Sequence, residues 1–204
     1  VIQVWHNIAE HKNKYQGGSA TITGTGPSDD DFTISGEVLI GVNRSIALSS
    51  KFEYVFVDSI KTLEVIERWL HYTKYICMPI WSCEEMTQNN KLVQKLKHKI
   101  LLFSLIYECP AFYAAPEYSL NDSLLHIFWG TVQPAIHFAK LLGVKAVKFY
   151  GCGGKPDAKG NLNNPNITKI FGINKKRITR TKNDYIKTQS NLANIADLLN
   201  LKIL

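Results

Sequence analysis

Five short apolar runs constrain this chain more than anything else in it: Glu37–Val42, Tyr54–Val57, Tyr75–Met78, Ile100–Ile106 and Ala146–Tyr150. Each holds four to seven residues and is nearly continuous rather than alternating. A strand of that kind is covered on both faces, which is the habit of parallel sheets flanked by helices. A weaker β-prone run, Ala20–Thr23, precedes them.

The segments between the runs carry helical spacing. Over Ser59–His71, residues Ile60, Leu63, Ile66, Trp69 and Leu70 share a face, and Ser59 is placed to cap the amino end. Over Thr131–Leu142 the stripe is Val132, Ala135, Ile136, Ala139 and Leu142, with Gly143 at the C-cap position. The pattern also predicts a helix over Val1–Tyr15, helical turns over Arg44–Ser50, a helix from Asn90 and a last helix over Asp184–Asn200. Lys202–Leu204 reads as a final strand, and Glu108–Asp122, with its two prolines, as an irregular excursion. Alternating strands and helices predict an α/β fold, Rossmann-like, with a mostly parallel sheet and helices on both faces. The 204 residues suit a single domain spanning 1–204.

No apolar run approaches the roughly 18 residues that a membrane-spanning helix needs, and the first residues lack the basic-then-apolar order of a signal peptide. The four cysteines form no CxxC pair, so the expectation is free buried thiols in a reducing, cytoplasmic setting and no metal site. The net charge is +7, and Lys155–Lys187 carries nine Lys or Arg against two Asp. This basic loop, at about 153–183, would meet phosphates, nucleic acid or an anionic surface, or stand as a solvated loop. The oligomeric state is not legible.

Open parallel sheets bind ligands beyond the carboxyl ends of their strands. The residues due there are the turn Gly24-Thr25-Gly26-Pro27-Ser28, Asn43, Asp58, Thr131 and Gly151. In the turn, Gly24 and Gly26 allow positive φ and close backbone approach, Pro27 stiffens the exit, and Ser28 offers a hydroxyl. Free N–H groups in such a turn hold anions; the alternative is a plain tight turn. No GK[ST] follows and the third glycine of GxGxxG is missing. Asn43 is a sugar- or carboxylate-binding amide, or a turn former. Asp58 is a ribose, base or metal contact, or an acid favouring a helix dipole. Thr131 meets a phosphate or simply caps its helix. Of six histidines, His126 is the candidate general base and His137 is structural.

The segments ATITGTGPS (20–28), GEVLIGVN (36–43), YVFVDS (54–59) and GTVQPAIHFAKLLGVKAVKFYGCG (130–153), preceded by NIAEHKNKY, follow one another in a recognisable order. Together they resemble a family that includes the motility-associated flagellin glycosylation proteins. It also includes the small bacterial sialyltransferases that use CMP-sialic acid and an archaeal 6-hydroxymethylpterin pyrophosphokinase. The resemblance implies a nucleotide-binding fold, with Gly24, Thr25, Gly26, Pro27 and Ser28 along the nucleotide. Asn43 would lie near its sugar or phosphate, and Thr131 and Gly151 beside it. Three departures stand out. Thr25 replaces a usual Asn, Cys152 stands where an acid often follows Gly151, and no histidine occurs after His137.

The expected function is transfer from a nucleotide sugar of the CMP-sugar class to a glycan or protein acceptor. His126 or Asp58 would be the base, and the donor nucleotide a substrate rather than a cofactor. One rival is a 6-hydroxymethylpterin-type diphosphokinase, which would need magnesium held by Asp29, Asp30, Asp31 and Asp58. The other is a non-catalytic nucleotide- or polyanion-binding module.

Overall fold

A computed structural model describes residues 6–28, 36–80, 90–107, 124–127, 131–152, 164–172 and 192–204, with backbone alone for 104–107 and 124–127. Within them the strands are β1 (His6–Asn7), β2 (Ser19–Thr23), β3 (Val38–Val42), β4 (Tyr54–Phe56), β5 (Tyr75–Pro79), β6 (Ile100–Tyr107), β7 (Leu124–Ile127), β8 (Ala146–Tyr150) and β9 (Lys202–Ile203). The helices are α1 (Ile60–Val65), α2 (Lys91–Leu96), α3 (Val132–Leu141), α4 (Pro165–Phe171) and α5 (192–198). The sheet order is β1-β6-β5-β4-β3-β2-β8-β9, with β7 paired to the far half of β6, and every pairing is parallel. The expected α/β, Rossmann-like architecture is what the chain forms.

Parallel pairing requires crossovers, and the crossovers cover both faces. Alternate residues along each strand part accordingly. Ile22, Ile40, Tyr54 and Phe56 pack with Ala135, Phe138 and Ala139 of α3 and with Ile195 and Ala196 of α5. Leu39, Val55, Ile76, Met78, Ile100 and Leu102 point the other way, onto Ile60 and Leu63 of α1 and Val93 and Leu96 of α2. Each such side chain, fully buried, contributes about 1.5–3 kcal/mol. The near-continuous apolar runs follow from this, because positions of the inner strands β3, β4 and β5 meet one helical layer or the other.

Successive strands step outward from β2 through β6, and the chain then returns to place β8 on the other side of β2. The order therefore reverses between β2 and β8, which is where open α/β sheets form a crevice at their carboxyl edge.

Several local expectations are corrected. The helix expected over Val1–Tyr15 is absent from its described part: His6–Asn7 pairs with β6, and Ile8–His11 is one 3-10 turn capped by Asn7. The following segment instead donates Asn13, Tyr15 and Gly17 N–H groups to the carbonyls of Leu141, Leu142 and Gly143 at the end of α3. Ser59 caps as expected, but α1 ends at Val65 and continues as a 3-10 stretch, Glu67–Tyr72. The long polar loop at 153–183 contains α4, started by Asn164 as N-cap and Pro165 as the first helical residue. Most of the basic stretch, the excursion 108–122 and Asp29–Asp31 lie outside the described residues.

Candidate functional site

The reversal point is built by backbone. The N–H of Gly24 donates to Tyr150 O at 2.8 Å, and that of Gly26 to Gly151 O at 2.8 Å. A Cβ on Gly24 would lie 2.4 Å from the Gly151 carbonyl oxygen, and one on Gly26 would lie 2.7 Å from the same atom. The two glycines let the exits of β2 and β8 touch. This corrects the expected chemistry of the turn. The Gly24 and Gly26 amides are engaged by the Tyr150 and Gly151 carbonyls at the exit of β8 and are not open to an anion, and neither glycine adopts positive φ. Gly151 does, at +61°. Thr25, Pro27 and Ser28 are half-buried, and Thr25 O accepts the backbone N–H of Asn164 at 2.8 Å.

Next along the same edge, three predicted residues from distant segments meet. Asn43 follows β3, Asp58 follows β4, and Thr131 precedes α3. Asn43 Nδ2 donates to Asp58 Oδ2 at 3.3 Å and lies 3.3 Å from Thr131 Oγ1. Thr131 Oγ1 donates to the same Asp58 oxygen at 3.3 Å, and the Asp58 N–H reaches Asn43 Oδ1 at 3.4 Å. Thr62 Oγ1 donates to the other carboxylate oxygen at 3.0 Å. Asp58 is exposed; Asn43, Thr62 and Thr131 are half-buried.

Each arises from local physics. Asn43 opens the 3-10 stretch Asn43–Leu48 with φ +53°, in the left-handed region that asparagine tolerates better than most side chains. Asp58 stands one residue outside the Ser59 cap, so the helix places it at the rim without using it as the cap. Thr131 makes no side-chain cap on α3, and its hydroxyl turns to Asp58 instead. The first-turn N–H groups of a helix lack intrahelical partners and favour an anion.

His126 falls in β7, its backbone paired opposite Ile106 near the carboxyl end of β6. His137 is buried within α3, as a structural residue would be. Cys77 and Cys152 are buried free thiols; burial pushes Cys77 well up and Cys152 up to about 12, which favours the neutral thiol over the nucleophilic thiolate. No group of three or more His, Cys, Asp or Glu is gathered for a metal among the described residues, and no helix among them is long and apolar enough to cross a membrane.

Two site-building residues escaped the sequence reading. Thr62 was legible as the fourth residue after Asp58, the spacing that sets two helical side chains together. Asn164 caps α4, donates to Thr25 and lies 3.5 Å from the Tyr150 hydroxyl; the pair Asn164-Pro165 was its signal. No protein-family model and no curated protein matches the chain.

Proposed function

We propose that the protein binds a nucleotide-activated sugar of the CMP-sugar class across the carboxyl edge of its sheet and transfers the sugar to a hydroxyl acceptor. The observation that carries the reading is the meeting of Asn43, Asp58, Thr62 and Thr131 beside the point where strand order reverses. The motif order across residues 20–153 supports the CMP-sugar class.

In this reading the Asn43 amide addresses the sugar or phosphate of the nucleotide. The amino end of α3 faces the leaving phosphate and stabilises the charge that grows on it as the anomeric C–O bond breaks. The acceptor oxygen forms the new bond, and its proton passes to a carboxylate, for which Asp58 is placed; His126 is the rival base. Because Asp58 already accepts from Asn43, Thr62 and Thr131, it also orients those three groups.

Calorimetric titration with CMP and with CMP-sialic acid tests the reading. We expect binding by the native chain, weakened at least about tenfold in Asn43→Ala, the equivalent of one or more hydrogen bonds. Absence of binding to any cytidine nucleotide or nucleotide sugar overturns it. Magnesium-dependent ATP consumption with a pterin alcohol would favour the diphosphokinase instead.

A further inference from the structure

The segment between β1 and β2 is held in two ways, and neither depends on the function proposed above. The first hold is backbone. The N–H groups of Asn13, Tyr15 and Gly17 donate to the carbonyls of Leu141, Leu142 and Gly143 at 2.9, 2.8 and 2.8 Å, at the carboxyl end of α3. The second hold is made by side chains that reach the start of β4. His11 Nδ1 lies 2.8 Å from the Tyr54 hydroxyl, Lys14 Nζ donates to that hydroxyl at 3.2 Å and to Glu53 at 2.8 Å, and Tyr15 donates to Glu53.

A donor and acceptor count assigns the hydrogens. Among the described residues the Tyr54 hydroxyl has two polar neighbours, His11 Nδ1 and Lys14 Nζ. An ammonium only donates, so the hydrogen of the fully buried Tyr54 goes to His11 Nδ1. His11 is therefore neutral, with its own hydrogen on Nε2. Protonation places a second hydrogen on Nδ1. Two cationic donors then face one hydroxyl oxygen, and the Tyr54 hydrogen loses its acceptor.

The surrounding charges do not offset this conflict. Burial opposes the imidazolium most, followed by Lys14; Glu10 and Glu53 favour it, and Lys74 opposes it. Glu10 is exposed and already accepts from the Asn7 N–H and meets His6 at 3.1 Å. Glu53 is answered by Lys14, by Tyr15 and, at 3.6 Å, by Lys74. The other walls are rings: Tyr75 meets His11 edge-on at 4.5 Å, and Phe138 of α3 backs Tyr54.

We propose that residues 12–18 form a clasp on the end of α3 that mild acid releases, with His11 as the trigger. In the released segment both ring nitrogens donate to water, and the Leu141, Leu142 and Gly143 carbonyls give up their partners. The sheet keeps its pairing, because residues 12–18 belong to no strand.

The test is amide hydrogen exchange of the full chain at about pH 7.5 and about pH 5.5, either side of an open histidine's value, with each rate divided by its intrinsic rate at that pH. At the higher pH the Asn13, Tyr15 and Gly17 amides should already be protected at least about tenfold less than those of β3 and β4, as local opening requires. At the lower pH their protection should fall about three- to tenfold further, the range that one histidine allows. His11→Gln keeps an acceptor for Tyr54 without a titrating ring, so its clasp amides should show the same protection at both pH values. Nitrogen NMR shifts of the native ring at neutral pH give a reading independent of any variant: Nδ1 should be bare and Nε2 protonated. Any of four results overturns the proposal: clasp protection unchanged by acid in the native chain, the same acid response in His11→Gln, clasp amides as protected as those of β3 and β4, or a neutral ring carrying its hydrogen on Nδ1.

Discussion

The two edges of the sheet carry polar clusters of opposite character. At the amino edge, His11 Nδ1 lies 2.8 Å from the Tyr54 hydroxyl, and Lys14 Nζ donates to Glu53 at 2.8 Å and to the Tyr54 hydroxyl at 3.2 Å. Tyr15 donates to the same Glu53 carboxylate. The His11 ring meets Tyr75 edge-on at 4.5 Å, and Tyr54 stacks on Tyr75 at 5.3 Å. At the carboxyl edge, the contacts among Asn43, Asp58 and Thr131 all stand at 3.3–3.4 Å around an exposed carboxylate. Short contacts with aromatic walls fix a structure. Long contacts around a wet carboxylate can be exchanged for a ligand at small cost, since little hydrogen-bond energy is lost. The amino edge is thus read as scaffold and the carboxyl edge as site.

Substitutions sharpen or break that contrast. Tyr54→Ala should cost most, about 4 kcal/mol, because Tyr54 is fully buried against Phe138 and its loss leaves a cavity. Chemical denaturation measures it, and a loss below 1 kcal/mol, order of magnitude, would remove the scaffold reading. Gly24→Ala should cost about 2–3 kcal/mol, since the added Cβ would strike Gly151 backbone atoms at 2.4 and 3.0 Å rather than a yielding side chain. A melting curve matching the native one would mean that the β2 and β8 exits can part freely.

Lys14→Met should cost about 1 kcal/mol, the ceiling for a partly exposed pair, and should be smaller in high salt. The same region sets the response to acid. Burial, with the Lys14 charge beside it, holds His11 below its ordinary value. The unfolded chain therefore binds the proton more readily. This contribution to stability is complete above about pH 6.5, the unfolded value, and is lost as pH falls through the lower folded value. Glu53 follows at more acid pH. Its burial raises the carboxyl, but hydrogen bonds from Lys14 and Tyr15 and the lysine charges outweigh that and bring it below 4.5. Melting temperature against pH should fall in these two windows, and His11→Gln should flatten the first. An unchanged profile in that variant would exclude His11 as its source.

The smallest stability effects belong to the rim. Asn43→Gly and Thr131→Val should each change stability by no more than about 0.5 kcal/mol. Glycine also relieves the left-handed backbone at 43, where φ is +53°. Their effect should appear in nucleotide affinity instead. A large loss of stability with unchanged CMP binding would invert the comparison between the edges.

Much of the fold was legible because its signals are local. Buried parallel strands need mostly apolar residues, so the runs Glu37–Val42, Tyr54–Val57, Tyr75–Met78 and Ala146–Tyr150 announced strands that end within one residue of those bounds. The caps Ser59 and Asn90 and the left-handed Gly143, at φ +83°, were equally local. The His6–Asn7 strand was not legible, since two residues carry no period and owe their form to β6. The end of α1 at Val65 was hidden too, because a 3-10 continuation keeps nearly the same apolar stripe.

The candidate site divides the same way. Composition and order placed Asn43, Asp58, Thr131 and the glycine turn at strand ends, and parallel pairing alone is enough to put strand ends on one edge. The sequence could not say which neighbours each would find. Only the reversal of strand order sets β8 against β2, and with that the glycine amides are spent on Tyr150 and Gly151. Only the packing of α3 across the sheet brings the Thr131 hydroxyl to Asp58, 73 residues away in the chain. Local patterns encode which groups reach an edge, because periodicity and caps act within a few residues. Which groups then satisfy one another is decided by contacts between distant segments, and no local pattern records those.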